Sequence, residues 1–164
     1  MRGRVPTMRA TSAGAGGGPM VSSQTMSSPS SHTVLLRPRY AETDQMGVIY
    51  HANYLIWMEM GRTEWCKARG FSYKDMEKEG VLLAVVEANC RYLFPARYDD
   101  HIAVVTRMPE ANRRMVRFEY EIRNADTEKV LSTGFTRHIF CNAEMQPASL
   151  PERYHALFGM ERRR

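Results

Sequence analysis

Between residues 53 and 69 the chain runs apolar and then turns polar. Tyr54, Leu55, Ile56, Trp57, Met58 and Met60 follow in near succession, with no proline and with glycine only at Gly61 and then Gly70. A stretch of this length without breakers predicts a helix over residues 53–69, with Asn53 as N-cap and Gly70 as the stop. Its apolar surface is too wide for one stripe on a surface helix, so other structure is expected to enclose most of it. The second half is expected to meet water, because Glu59 with Arg62 and Glu64 with Lys67 form two i,i+3 pairs there.

Downstream the period changes to two. Residues 81–95 open with aliphatics and then alternate Ala88, Cys90, Tyr92 and Phe94 with Asn89, Arg91 and Leu93. Three further strands are predicted over residues 101–110, 113–124 and 129–142, separated by turns at 111–112 and 125–128. Short turns between consecutive strands predict an antiparallel meander. A first strand is read at residues 33–40, with Pro38 at an edge or an end. Ser72 caps a short connecting helix that stops at Gly80, and one or two helical turns are read over residues 152–159. Gly134, inside the last strand, marks a bulge or a close curve of backbone around the helix. The most economical packing of these elements is α+β, a curved sheet wrapped around the long helix.

Composition narrows the function classes. The chain has 164 residues, 43% hydrophobic, enough for one core. Its net charge of +5 lies in the tails: residues 1–32 hold three arginines and no acid, residues 161–164 hold three arginines and Glu161, and the remainder balances. That distribution argues against a nucleic-acid face on the folded body. Cys66, Cys90 and Cys141 are widely spaced with no CxxC, so neither a disulfide framework nor a zinc site is suggested, and a reducing compartment fits. No uncharged apolar run is long enough to cross a bilayer, and a soluble protein is expected. Residues 1–32, rich in Gly, Ser, Ala and Pro, are expected to be a disordered, dispensable tail. They lack a secretory apolar region; an organellar transit segment and a later start at Met8, Met20 or Met26 both remain open.

Three segments, YAETDQMGVIYHANYLIWMEMGR, EANCRYLFPARYDD and STGFTRHIFCN, resemble the hotdog-fold acyl-CoA thioesterase family of the 4-hydroxybenzoyl-CoA and Tol-Pal-associated types. The resemblance spans about residues 33–150, leaving 151–164 as an extension, and its most specific part is TDxxGVxYHxNY at residues 43–54. It implies a hotdog fold and hydrolysis of acyl-CoA thioesters, with acyl carrier protein open as an alternative donor. No cofactor or metal is implied. Asp44 falls at the catalytic carboxylate, with Tyr40 and His51 as assisting residues. Gly47, Val48, Tyr50 and Asn53 fall at substrate-binding positions, and a backbone N–H near His51 polarises the carbonyl. His51 leans toward the short-chain or aliphatic branch. A cytoplasmic homodimer or homotetramer is expected, because an open sheet leaves strand edges that invite pairing.

The chemistry fits the residues themselves. Cleavage of a thioester builds charge on the carbonyl oxygen, and a helix N-terminus offers unpaired N–H donors and a partial positive charge to receive it. Asp44 can act as nucleophile or as general base to water. It can also be a turn residue bonding its own backbone. His51 can position Asp44 or water, or be satisfied by backbone at the helix start. Tyr40 is read either as a hydroxyl bonded to Asp44 or as a packed aromatic, and Gly47 as a conformational requirement. Arg91, Arg97, Arg113, Arg114, Arg117 and Arg137 are candidates for the coenzyme A phosphates, or simply the solvated sheet face. Two rivals stand beside hydrolysis: hydration or dehydration of an acyl thioester, and a non-catalytic acyl-carrier or envelope-partner module.

Overall fold

The structure, a computed structural model, describes residues 31–160. Its strands are β1 (Ser31–Leu36), β2 (Leu82–Tyr92), β3 (Ile102–Ala111), β4 (Met115–Asn124) and β5 (Val130–Cys141). Between β1 and β2 lie the long helix α1 (Ala52–Lys67) and the short α2 (Tyr73–Lys78), the latter capped by Ser72, whose hydroxyl accepts from Asp75 N–H at 3.2 Å. The expected tail up to position 30 lies outside the described residues, and Ser31 and His32 already belong to β1. No described helix is long and apolar enough to cross a membrane.

All neighbouring strands are antiparallel, in the order β1-β3-β4-β5-β2. The expected meander therefore holds only for β3, β4 and β5. β2 cannot pair β3, because the second edge of β3 is taken by β1, with Leu36 opposite Ile102 and Ser31 opposite Arg107. It adds instead to β5 and becomes an edge strand, Leu82 opposite Cys141 and Tyr92 opposite Ser132. The period of two is clearest on β4, where Val116, Phe118, Tyr120 and Ile122 are buried against α1 while Arg117, Glu119 and Glu121 face outward.

Helix α1 starts at Ala52 with His51 ahead of it in helical conformation, so Asn53 is not the cap but part of the first turn. Tyr54, Trp57, Met58, Trp65 and Cys66 enter the core, each large side chain contributing about 2–3 kcal/mol by the apolar area it removes from water. Enclosure is one-sided, however. The helix packs chiefly over β1 and β3, and Leu55, Ile56 and Met60 stay exposed. Of the two charged pairs, Lys67 reaches Glu64 at 2.6 Å, but Glu59 and Arg62 do not pair, because Arg62 turns inward to β5.

Two glycines set the helix-to-sheet distance. A Cβ at Gly61 would come within 2.9 Å of Val104 Cγ1 and closer still to Thr106 Oγ1 on β3. A Cβ at Gly134 would lie 2.6 Å from Met58 Cε and against the carbonyl oxygen of Asn89. Gly134 thus marks close approach around the helix, and the β2–β5 register shifts elsewhere, between Val85 and Glu87. At the far end two 3-10 turns, Glu152–Tyr154 and Ala156–Phe158, bring Phe158 to 5.2 Å from Phe71 and 5.4 Å from Phe140 between ring centroids. The expected extension thereby contributes to the same core.

Candidate functional site

Residues 43–49 form a miniature hairpin closed by a bridge between Thr43 and Ile49. At its tip Asp44 N–H donates to Val48 carbonyl at 2.9 Å and Gly47 N–H donates to Asp44 carbonyl at 3.0 Å, with Gly47 at φ +74°. That left-handed conformation explains the glycine. Asp44 Oδ1 accepts from Met46 N–H at 2.8 Å, an Asx turn, so the carboxylate does hold its own backbone. One oxygen is used this way, and Asp44 still lines a cavity of about 270 Å³ with Met46, Val48, His51, Tyr54, Tyr92 and Phe94 among its walls.

The first amides of α1 face no protein acceptor. Asn53 N–H donates to Tyr50 carbonyl at 3.0 Å, but the N–H groups of His51 and Ala52 have no partner among the described residues. They are the donors at the positive end of the helix. Asp44 and His51, the residue that leads into α1, thus line one crevice.

Support comes from residues that the sequence pattern did not single out. Buried Glu42 accepts Arg39 N–H at 2.7 Å, and its carbonyl accepts from Tyr50 N–H at 2.8 Å and from Asn53 Nδ2 at 3.1 Å, tying hairpin to helix. Ile49 N–H donates to Ala96 carbonyl at 2.9 Å, while Ala96 N–H donates to Tyr54 hydroxyl at 2.8 Å. Burial raises the Tyr54 phenol above its usual range. Tyr92 donates its hydroxyl to the His51 carbonyl at 3.0 Å; desolvation, then Cys90, raises its pKa, so the donor stays protonated. That bond polarises the amide whose N–H belongs to Ala52.

Not every sequence candidate reaches the crevice. Tyr40 is 79% exposed and meets Tyr98 edge-on at 5.7 Å instead of bonding Asp44. The cause is the 3-10 turn Tyr40–Glu42, which buries Glu42 and turns Tyr40 outward. Val48 lines the cavity, whereas Gly47, Tyr50 and Asn53 do not: Gly47 supplies the turn, Tyr50 lies exposed with its ring 4.4 Å from that of His51, and Asn53 serves as the tie to Glu42. Among the arginines, Arg97 donates to Gly47 carbonyl at 3.2 Å, Arg137 pairs with Glu87 at 2.7 Å and Arg117 with Glu119 at 3.1 Å. Cys66 is buried, which pushes its thiol up to about 11 and removes it as a nucleophile.

Comparison with known proteins bears on the family and the fold. The Thioesterase-like superfamily matches residues 38–158. The protein YneP of Bacillus subtilis is 51% identical over 86 residues, covering 52% of this chain and 62% of its own length. The acyl-CoA thioesterase YbgC of Haemophilus influenzae is 30% identical, covering 75% of this chain and 90% of its own. Among solved structures, a DHNA-CoA thioesterase from Staphylococcus aureus superposes with a TM-score of 0.75 at 33% identity, covering 79% of this chain and 89% of that one. With four of the five strands, the helix beside them and the Asp44 hairpin inside the matched span, the chain belongs to the hotdog-fold Thioesterase-like superfamily.

Proposed function

We propose that the protein hydrolyses acyl-CoA thioesters to the free acid and coenzyme A, with Asp44 as nucleophile or general base. The observation that supports it most is the crevice lined by both Asp44 and His51, at the start of a helix whose first amides have no partner among the described residues. The substrate carbonyl oxygen sits on the His51 and Ala52 N–H groups, which stabilise the charge that grows as the carbonyl carbon is attacked. In the base route Asp44 takes a proton from water, the water oxygen adds to the carbon, the C–S bond breaks and the thiolate leaves with a proton. In the nucleophile route Asp44 displaces the thiolate first, and water then cleaves the mixed anhydride. His51 positions water at the mouth of the crevice. Cytoplasmic residence suits its unpaired cysteines.

The working unit in this reading is a homodimer joined along β2. Val85 and Val86 are 54% and 53% exposed on that strand, and its outer edge has no ladder partner among the described residues. An edge of this kind pairs with another copy unless something blocks it. Sedimentation equilibrium is expected to give twice the chain mass, and Val85→Glu is expected to shift the balance toward monomer by about tenfold, a 1.4 kcal/mol effect.

A thiol-release assay over aliphatic and aromatic acyl thioesters, on coenzyme A and on acyl carrier protein, tests the reaction. Free thiol in step with free acid is expected. Hydration of an enoyl thioester without thiol would overturn the reading in favour of a hydratase. Tyr92→Phe removes one hydrogen bond to the His51 amide and is expected to lower kcat about three- to tenfold with little change in KM.

A further inference from the structure

A second cavity, of about 210 Å³, opens between α1 and the β2 side of the sheet and is lined by Leu55, Glu59, Arg62, Val85, Ala88, Tyr120 and Thr136. Arg62 gives it an unusual floor. The residue is half-buried, yet no carboxylate of the described residues lies within ion-pair distance of it. Its Nη1 lies 2.7 Å from His138 Nδ1 and 3.0 Å from Nε2, and its guanidinium lies 5.1 Å from the centre of the Tyr73 ring. Nε is buried with no hydrogen-bond partner, and Nη2 has none among the described residues. A guanidinium withdrawn from water normally finds an anion.

The groups around it cannot supply that anion. His138 is fully buried, and burial followed by the Arg62 charge pushes it down to about 3, so the ring is neutral and accepts from Arg62. Its Nε2 is 2.8 Å from Thr136 Oγ1, which is 2.7 Å from the Tyr120 hydroxyl. Burial pushes the Tyr120 phenol up to about 12, so it too is neutral. Glu59 stands exposed at the rim, where water screens its charge. What stays open is Nη2 of Arg62, one charged donor without a partner among the described residues, suited to a carboxylate oxygen.

The linings of the two cavities succeed one another along α1 and β2. His51 and Tyr54 line the first, and Leu55, Glu59 and Arg62 line the second. On the strand side Tyr92 lines the first and Ala88 the second, with Cys90 between them in the alternation. From His51 to Arg62 the helix rises about 16 Å. From Tyr92 to Ala88 the strand covers about 13 Å. Resting on the thioesterase reading, we propose that the second cavity binds a carboxylate at the far end of the substrate's acyl chain, held by Arg62. At about 1.2 Å per bond, such a chain carries on the order of ten carbons between thioester and carboxylate.

The experiment compares ω-carboxyacyl-CoA with plain acyl-CoA of equal length, from about ten to fourteen carbons by the same spacing. For the wild-type protein, kcat/KM is expected to favour the carboxylated substrate at least tenfold near the matching length. In Arg62→Met that ratio is expected to fall to about one, and in Arg62→Lys, which keeps the charge on a shorter and more mobile head, to an intermediate value. Wild-type turnover of both substrates with no preference would overturn the proposal even if the variants fail to fold. Calorimetric binding of the same pair to Asp44→Asn separates the two readings. Tighter binding of the carboxylated substrate with no turnover in the wild type would uphold this subsite and sink the hydrolase reading, whereas equal binding beside normal turnover would sink the subsite alone.

Discussion

Asp44→Asn is expected to lower kcat for thioester cleavage by about a thousandfold, within the range assigned to general-base and nucleophilic groups, while leaving acyl-CoA binding within a few fold. The substitution isolates chemistry from structure. Asn can keep accepting the Met46 N–H through its own oxygen, so the Asx turn and the hairpin that carries it should survive. The helix-start amides are untouched, and they account for the activity that remains. Thiol release measured beside binding of intact substrate checks the split. Weak binding together with lost turnover would mean that Asp44 serves the loop rather than the reaction. A single turnover of the wild type in labelled water tells the two routes apart, since only the nucleophile route can leave solvent oxygen in the Asp44 carboxylate.

Gly134→Ala is expected to destabilise the fold by about 3 kcal/mol, the upper part of the range for overpacking. The added methyl would meet the Asn89 carbonyl oxygen on the paired strand, which is backbone and cannot swing aside, as well as Met58 Cε at 2.6 Å from the helix. Met58 can repack; β2 cannot do so without leaving its register with β5. For a domain of this size the loss corresponds to a fall in melting temperature of about 10 °C. Thermal denaturation checks it, and a wild-type melting temperature would show that the helix stands further from the sheet. Gly61→Ala makes a useful contrast. Helix propensity alone would have it stabilise by about 1 kcal/mol, but the contact with Thr106 and Val104 opposes that gain.

Local patterns carried much of the fold and the form of the loop that holds Asp44. The alternation over β4 named its buried face, the apolar run named α1, Ser72 named the start of α2, and the turn before the helix named Asp44 and Gly47. Tyr40 shows the limit of such reading. Four residues from Asp44 it looked able to bond the carboxylate, but a single 3-10 turn decided which of Tyr40 and Glu42 faced inward. Asn53 likewise looked like a cap, and proved to be a tie to the Glu42 carbonyl.

What the sequence by itself determined is whatever depends on neighbours within about a dozen positions: element type and a carboxylate held just ahead of a helix start. Tertiary structure alone decided that β2 lies beside β5 at an open edge, that Tyr92 grips the carbonyl of His51, and that Arg62 abandons Glu59 for His138, 76 positions away. Those choices follow from which strand edges remain available and from which polar groups must find partners once the core has closed, and neither is written in any local stretch of the chain.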